Sequence, residues 1–170
     1  SDHFVKSHSL HVAIYTLALA NILKFKDDDM QKIGIAALLH DIGLKKLDEN
    51  IINKKDLLTQ NETSIMQKHS QYGVEIAEQN KIHDPYIINA IMHHHERFDG
   101  SGYPNQLTTE EISNFASVLA ICDVFDALTS NRPHREGYSS FDALKMMIRD
   151  TDMLNQFNQK YLHFFLKSFL

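Results

Sequence analysis

Apolar side chains recur along this chain with the period of an α-helix. Val5, His8, Val12, Tyr15, Leu19 and Ile22 follow one another at alternating steps of three and four, which puts them on one stripe of an amphipathic helix. Met30, Ile33, Ala37 and His40 repeat the pattern after Asp27, Asp28 and Asp29, acids that suit a helix start, and Gly43 is expected to end that helix. An irregular stretch runs through Thr59. Ile65, His69, Tyr72 and Ile76 then predict a further helix, and Pro85 suits the first turn of the next, which carries Ile87, Ile91 and His94. Gly and Pro punctuate Asp99-Gly100-Ser101-Gly102-Tyr103-Pro104, so this run reads as an ordered loop. Helical spacing resumes from about Glu110 with Ala116, Ala120, Asp123 and Ala127 and breaks at Asn131-Arg132-Pro133. Two C-terminal helices are expected, from about Ser140 and about Asn155, the last rich in Phe and Leu as a core-packing or dimer-forming helix is. No repeat, low-complexity tract or linker interrupts the pattern, so residues 1–170 read as one all-α domain.

Composition agrees with a soluble domain. The chain has 170 residues, enough to bury a core without disulfides or structural zinc. Hydrophobic residues make up 43% and charged residues 23%, and no apolar run approaches the roughly 20 residues needed to span a bilayer. The lone Cys122 excludes an internal disulfide framework and a multi-cysteine zinc motif, and the N-terminus carries no basic-then-apolar signal pattern. A cytoplasmic protein without membrane insertion is the expectation. The net charge of −5 argues against binding to duplex nucleic acid, while leaving room for a local basic pocket that holds a small phosphate ligand.

Eleven histidines in so short a chain change the picture. A single histidine on an apolar stripe is more often a hydrogen-bonded core residue than a metal ligand. Here His8, His40 with Asp41, His69, His94 with His95, and Asp123 fall on the inward stripes of five separate predicted helices. Burying so many imidazoles and carboxylates unpaired would cost several kcal/mol, so they must satisfy one another or share a cation. Nitrogen donors mixed with carboxylate oxygens suit iron, manganese, zinc, cobalt or nickel rather than calcium or magnesium. Seven donors exceed what one ion takes while keeping an open position, and Asp41 beside His40 could bridge two. Two metal ions about 3.5 to 4 Å apart can activate a water and clamp both oxygens of a phosphodiester.

Three segments carry a family resemblance. His40-Asp41 within HDIG resembles the signature of the HD phosphohydrolase superfamily. HHERFDGSGYP, from His94 to Pro104, is similar to the signature of its HD-GYP branch, and DVFDALTSNRPHR, from Asp123 to Arg135, to the segment that follows there. The likeness also takes in the helix around His8 and the stretch NIINKKDLLT, and so spans most of the chain. It implies an HD-domain helical bundle of about seven helices with a C-terminal extension, and a binuclear or trinuclear site, often of iron or manganese, that hydrolyses cyclic di-GMP to the linear dinucleotide pGpG, to GMP, or both. Residue by residue, it assigns His8, His40, Asp41, His69, His94, His95 and Asp123 as metal ligands, with Asp41 bridging and with His40 and Asp41 at the catalytic centre. His93 falls outside the matching pair and reads as a surface or supporting residue. Arg132 and Arg135 match positions that contact substrate phosphates, for which a guanidinium fork is suited; a solvated pair past a helix end is the plainer reading.

Two positions depart from the family pattern. Leu44 stands where a lysine usually follows HDIG to hold a substrate phosphate; Lys45 and Lys46 come next, and Lys45 is the candidate replacement, although neighbouring helical residues point about 100° apart. Phe4 stands where members with a third ion carry glutamate, which favours two ions. The Gly102-Tyr103-Pro104 loop is either a substrate-side or partner-docking surface, the family partner being a diguanylate cyclase domain, or a rigid turn in which glycine supplies special dihedral angles and tyrosine packs. Members of the family usually carry a preceding sensory or receiver domain, so a larger parent protein is expected. Leu44 also motivates a competing expectation, a weakly active or inactive module that binds cyclic di-GMP or a cyclase domain and relays a signal. Another HD-type phosphohydrolase and a di-iron oxygenase are the remaining alternatives.

Overall fold

The stripe that begins at Val5 becomes the longest helix, α1 (Asp2–Ile22), in a computed structural model that describes residues 2–131 and 136–169. It is followed by α2 (Asp27–Leu39), which starts three residues before the expected Met30. Asp27, Asp28 and Asp29 occupy its first turn rather than preceding it, where their charges meet the exposed amides of the helix N-terminus, and Asp28 pairs with Lys32 at 2.6 Å one turn on.

α2 ends at Leu39, before the expected stop at Gly43. Gly43 lies instead in a 3₁₀ turn, Ile42–Lys46, that is pressed against a later helix; a Cβ there would collide with the His69 carbonyl and the Gly73 amide. The residue is glycine because of close approach, not because of helix termination. A short α3 (Glu49–Ile52) follows, capped by Asp48, whose side chain accepts from the Asn50 amide at 2.8 Å.

The stripe through Ile65, His69, Tyr72 and Ile76 is split in two. α4 (Gln60–Gln67) opens on a reciprocal Thr59/Glu62 capping box, and α5 (His69–Gln79) begins after an interruption at Lys68. α6 (Pro85–His93) has Pro85 in its first turn behind Asp84, whose carboxylate accepts from the Tyr86 and Ile87 amides at 2.9 and 3.3 Å. α7 (Asn114–Thr129) is the central rod: every residue from Phe115 to Asp126 except Val124 is buried.

The C-terminal extension is α8 (Ser140–Arg149), α9 (Thr151–Asn155) and α10 (Gln159–Lys167), three helices where two were expected. The chain pauses between α9 and α10 so that Asn158 can cap the latter through the Tyr161 amide at 3.1 Å. Seven α-helices therefore precede the extension, and the described residues contain no strand.

Helices α1, α2, α6 and α7 pack around a core that includes Val12, Leu19, Ile33, Ala37, Ile91, Leu119, Ile121 and Phe125. The extension closes one side. Phe165 of α10 meets Phe125 edge-on with ring centroids 5.1 Å apart, and Phe125 meets Tyr15 of α1 at the same separation. Burying a side chain of this size stabilises the fold by about 1.5–3 kcal/mol. Among the described residues, no helix is long and apolar enough to cross a membrane.

Candidate metal centre

Three of the histidines singled out by the sequence sit just past the end of a helix. The last turn of a helix leaves carbonyls without amide partners, and each of these rings donates its Nδ1–H to the carbonyl three residues earlier. His40 donates to Ala37 at 2.6 Å, His69 to Met66 at 2.8 Å and His94 to Ile91 at 2.8 Å. The interruption at Lys68 is thus the end of α4 that gives His69 its carbonyl. This bond fixes the tautomer, so each Nε2 keeps a lone pair and points away from its own helix.

All three Nε2 atoms converge on Asp41, at the start of the 3₁₀ turn. Its Oδ1 lies 3.4 Å from His69 Nε2 and 3.8 Å from His94 Nε2, and its Oδ2 lies 3.5 Å from His40 Nε2 and 3.7 Å from His8 Nε2. Asp123 of α7 spans the same space from the other side, with Oδ1 at 3.1 Å from His8 Nε2 and 3.9 Å from His40 Nε2, and Oδ2 at 3.8 Å from His95 Nδ1. The donors form two groups: Asp41, His69, His94 and His95, and His8, His40 and Asp41. Asp41 belongs to both, one oxygen facing each.

This set fits divalent cations. His40 Nε2 is fully buried with no hydrogen-bond partner, and His69 Nε2 faces His94 Nε2 at 3.3 Å although each ring has already committed its proton at Nδ1. Two lone pairs so close repel unless a cation lies between them or near both. The mixed nitrogen and carboxylate donors are those of transition-metal sites.

Electrostatics divide the two groups. Burial, helped by the neighbouring His94, pushes the His95 pKa well below the usual histidine range, and burial with His40 and His69 nearby also lowers His94, so both rings stay neutral. Burial works against charge on His8 as well, but hydrogen bonds to Asp123 and Asp126 overcome it and raise its pKa to about 10. His40 is raised too, its burial outweighed by Asp41. Burial would raise Asp41 and Asp123; His40 holds Asp41, and His8 holds Asp123, well below the ordinary carboxylate range.

The seven residues named from the sequence therefore come together. Lys45 is exposed in the 3₁₀ turn that starts beside Asp41, Leu44 is half-buried, and Lys46 is drawn aside to Glu75 at 2.6 Å and over the Tyr72 ring. His93 ends α6 half-buried, in neither donor group. Arg132 and Arg135 lie outside the described residues.

The Gly-Tyr-Pro loop packs back onto the centre. The Tyr103 ring stacks on His95 with centroids 4.7 Å apart and 27° between planes, and the Tyr103 amide donates to the His95 carbonyl at 3.2 Å. A Cβ on Gly102 would collide with the backbone of His95, Glu96 and Arg97, so only glycine fits. Glu96, fully buried, accepts from the Asn105 and Leu107 amides at 2.6 and 2.9 Å and ties the loop down. Sequence reasoning missed Glu96. It also missed Asp126, one turn beyond Asp123 on α7, buried and hydrogen-bonded to His8 Nδ1 at 2.6 Å; the three-residue spacing from Asp123 was the available signal.

Comparison with known proteins places this geometry. A profile of the HD domain matches residues 1–154. The chain is 37% identical over 147 residues to a cyclic di-GMP phosphodiesterase of Pseudomonas aeruginosa, covering 86% of this chain and 36% of that protein. It is 37% identical over 134 residues to a 3′3′-cGAMP-specific phosphodiesterase of Vibrio cholerae, covering 78% and 26%, and 37% identical over 128 residues to a cyclic di-GMP phosphodiesterase response regulator of Xanthomonas campestris, covering 74% and 34%. The chain thus spans about a third of the length of these curated relatives. In fold it resembles an HDG"Y"P protein from Bdellovibrio bacteriovorus, with a TM-score of 0.77 at 23% identity over 97% of this chain and 52% of that one. With the profile match, these identities and the HDIG and HHERFDGSGYP segments in order, the chain belongs to the HD domain family, in its HD-GYP branch.

Proposed function

We propose that this domain hydrolyses cyclic di-GMP to pGpG, GMP or both, using two transition-metal ions, iron or manganese, at the Asp41 centre. The observation that carries the reading is the division of the donors into two groups that share Asp41, one oxygen toward each. One ion would be held by His69, His94, His95 and Asp41, the other by His8, His40, Asp41 and Asp123. When bound, such a pair polarises the phosphodiester and makes a water acidic enough to act as nucleophile near neutral pH.

The chain's own residues supply preorganisation. The carbonyl bonds of His40, His69 and His94 hold the rings in the ligating tautomer before any ion arrives, so little ordering remains at binding. With two divalent ions bound, the charges of Asp41 and Asp123 would be outweighed and the centre would attract a phosphodiester although the chain carries a net charge of −5. Lys45, with Arg132 and Arg135, would hold the substrate phosphates from outside the ligand set. The cyclic dinucleotide class is supported by relatives named for cyclic di-GMP and for 3′3′-cGAMP.

The domain would act in the cytoplasm. Its partners would be a preceding sensory or receiver domain, in keeping with a relative named as a response regulator, and diguanylate cyclase domains that meet the rim of the Gly102-Tyr103-Pro104 loop.

Leu44 favours a second reading, a weakly active or inactive module that binds cyclic di-GMP or a cyclase domain, because Lys46 is committed to Glu75 and leaves Lys45 as the nearby cation after HDIG. Liquid chromatography of cyclic di-GMP incubated with anaerobically purified, iron- or manganese-loaded protein separates the two. Linear dinucleotide or GMP supports the enzyme; tight nucleotide binding without product across several metals supports the module.

A further inference from the structure

His8 is held differently from the other ligands. Where His40, His69 and His94 give their Nδ1 protons to main-chain carbonyls, His8 lies in the middle of α1, where carbonyls are already used by the helix, and its Nδ1 meets the Asp126 Oδ2 at 2.6 Å. Asp126 is itself fixed on several sides. His11, one turn along α1, reaches its Oδ1 at 3.3 Å, and the Ser130 hydroxyl donates to its Oδ2 at 3.0 Å. Asp126 is 1% exposed, and its carboxylate stands behind His8, on the side away from Asp41 and Asp123.

We propose that Asp126 is a positioning residue for one ion of the pair: it aims His8 Nε2 at the Asp41 and Asp123 carboxylates and strengthens that ring as a ligand by the charge it places behind Nδ1. The proposal rests on the two-ion reading. Its specific content is asymmetry. Among the described residues the hydrogen bonds and ion pairs of the Asp126 carboxylate run to His8, His11 and Ser130 and not to His69, His94, His95 or Asp41, so loss of Asp126 weakens the ion held by His8 and His40 and leaves the other as it was. A carboxylate behind a ligating imidazole raises its basicity, and removing such a partner typically lowers metal affinity about 10- to 100-fold.

The test is manganese binding to metal-free protein, followed by metal analysis and by electron paramagnetic resonance, which separates isolated from spin-coupled manganese. Wild-type protein takes two equivalents with a coupled signal. Asp126→Ala keeps one equivalent at wild-type affinity, binds the second about 10- to 100-fold more weakly and shows the isolated signal, as does His8→Ala. Asp126→Asn, which still accepts from Nδ1–H but lacks the charge and preserves the shape of the core, falls between wild type and Asp126→Ala. Two equivalents at unchanged affinity in both Asp126 variants overturn the proposal, as does equal weakening of both ions. Wild-type protein that takes fewer than two overturns the two-ion reading itself.

Discussion

Tyr103 lies flat against His95, its ring 27° from parallel at a centroid distance of 4.7 Å. The same ring meets His69 edge-on at 6.2 Å. The loop tyrosine is therefore part of the wall that orients two candidate ligands of one ion. Burial pushes its hydroxyl pKa upward, so it remains a neutral phenol. Tyr103→Ala is expected to free the His95 ring and lower occupancy of the His69, His94 and His95 group, while Tyr103→Phe keeps both stacking and metal. Metal analysis of the two variants checks this; full metal in the alanine variant would assign the tyrosine to docking instead.

The shared carboxylate makes a sharper demand. Because Asp41 presents one oxygen to each donor group, Asp41→Ala should release both ions and reduce cyclic di-GMP turnover by several orders of magnitude. Asp123→Ala, which removes a carboxylate chiefly from the His8 side, should weaken that ion more than the other. Metal-to-protein ratios measured after gel filtration distinguish the two patterns.

Metal uptake should release protons. His8, with its pKa raised to about 10, carries a proton at pH 7 in the metal-free protein and must lose it to offer Nε2. His94 and His95 are lowered and give up nothing. Affinity for the His8-side ion is therefore expected to rise with pH across the neutral range and level off near pH 10. The sign for folding is the reverse. The His8 charge stabilises the metal-free fold below its unfolded value of 6.5, and this contribution is lost as pH rises through about 10. Calorimetry in buffers of different ionisation enthalpy counts the protons released; none at pH 7 would contradict the assignment.

Gly43→Ala tests whether geometry one step removed from the ligands matters. The added methyl meets the His69 carbonyl and the Gly73 amide, so the 3₁₀ turn must move away from α5 and carry Asp41 with it. Overpacking of this kind destabilises by about 1–3 kcal/mol, and metal affinity should fall although no ligand is altered. Thermal unfolding with and without metal reads both effects.

Helix period made most of the fold legible from the sequence, and adjacent ligand pairs made most of the site legible. His40-Asp41 and His94-His95 are contiguous, and His8, His69 and Asp123 fall on apolar stripes, so the convergence of five segments could be read before any coordinates. The split between α4 and α5 could not, because the single turn residue between them, Lys68, keeps near-helical dihedrals and leaves the spacing of Ile65, His69 and Tyr72 unchanged. Three aspartates serve equally well as caps or as a first turn, which hid the true start of α2. Gly43 was read as a stop because tight contact between distant segments leaves no local signature. Glu96 escaped for the same reason, its partners being the amides of Asn105 and Leu107 in an aperiodic loop, and Asp126, whose partner His8 is remote in sequence, offers only its three-residue spacing from Asp123.

The central claim is a hydrolase that needs both ions, and stepwise reconstitution tests it most directly. Metal-free protein is given manganese in fractions of an equivalent under anaerobic conditions, and cyclic di-GMP turnover is measured by chromatography at each step. Turnover that stays low through the first equivalent, climbs through the second and vanishes with a chelator is the predicted result. Full turnover at one equivalent, or turnover indifferent to metal, would contradict it.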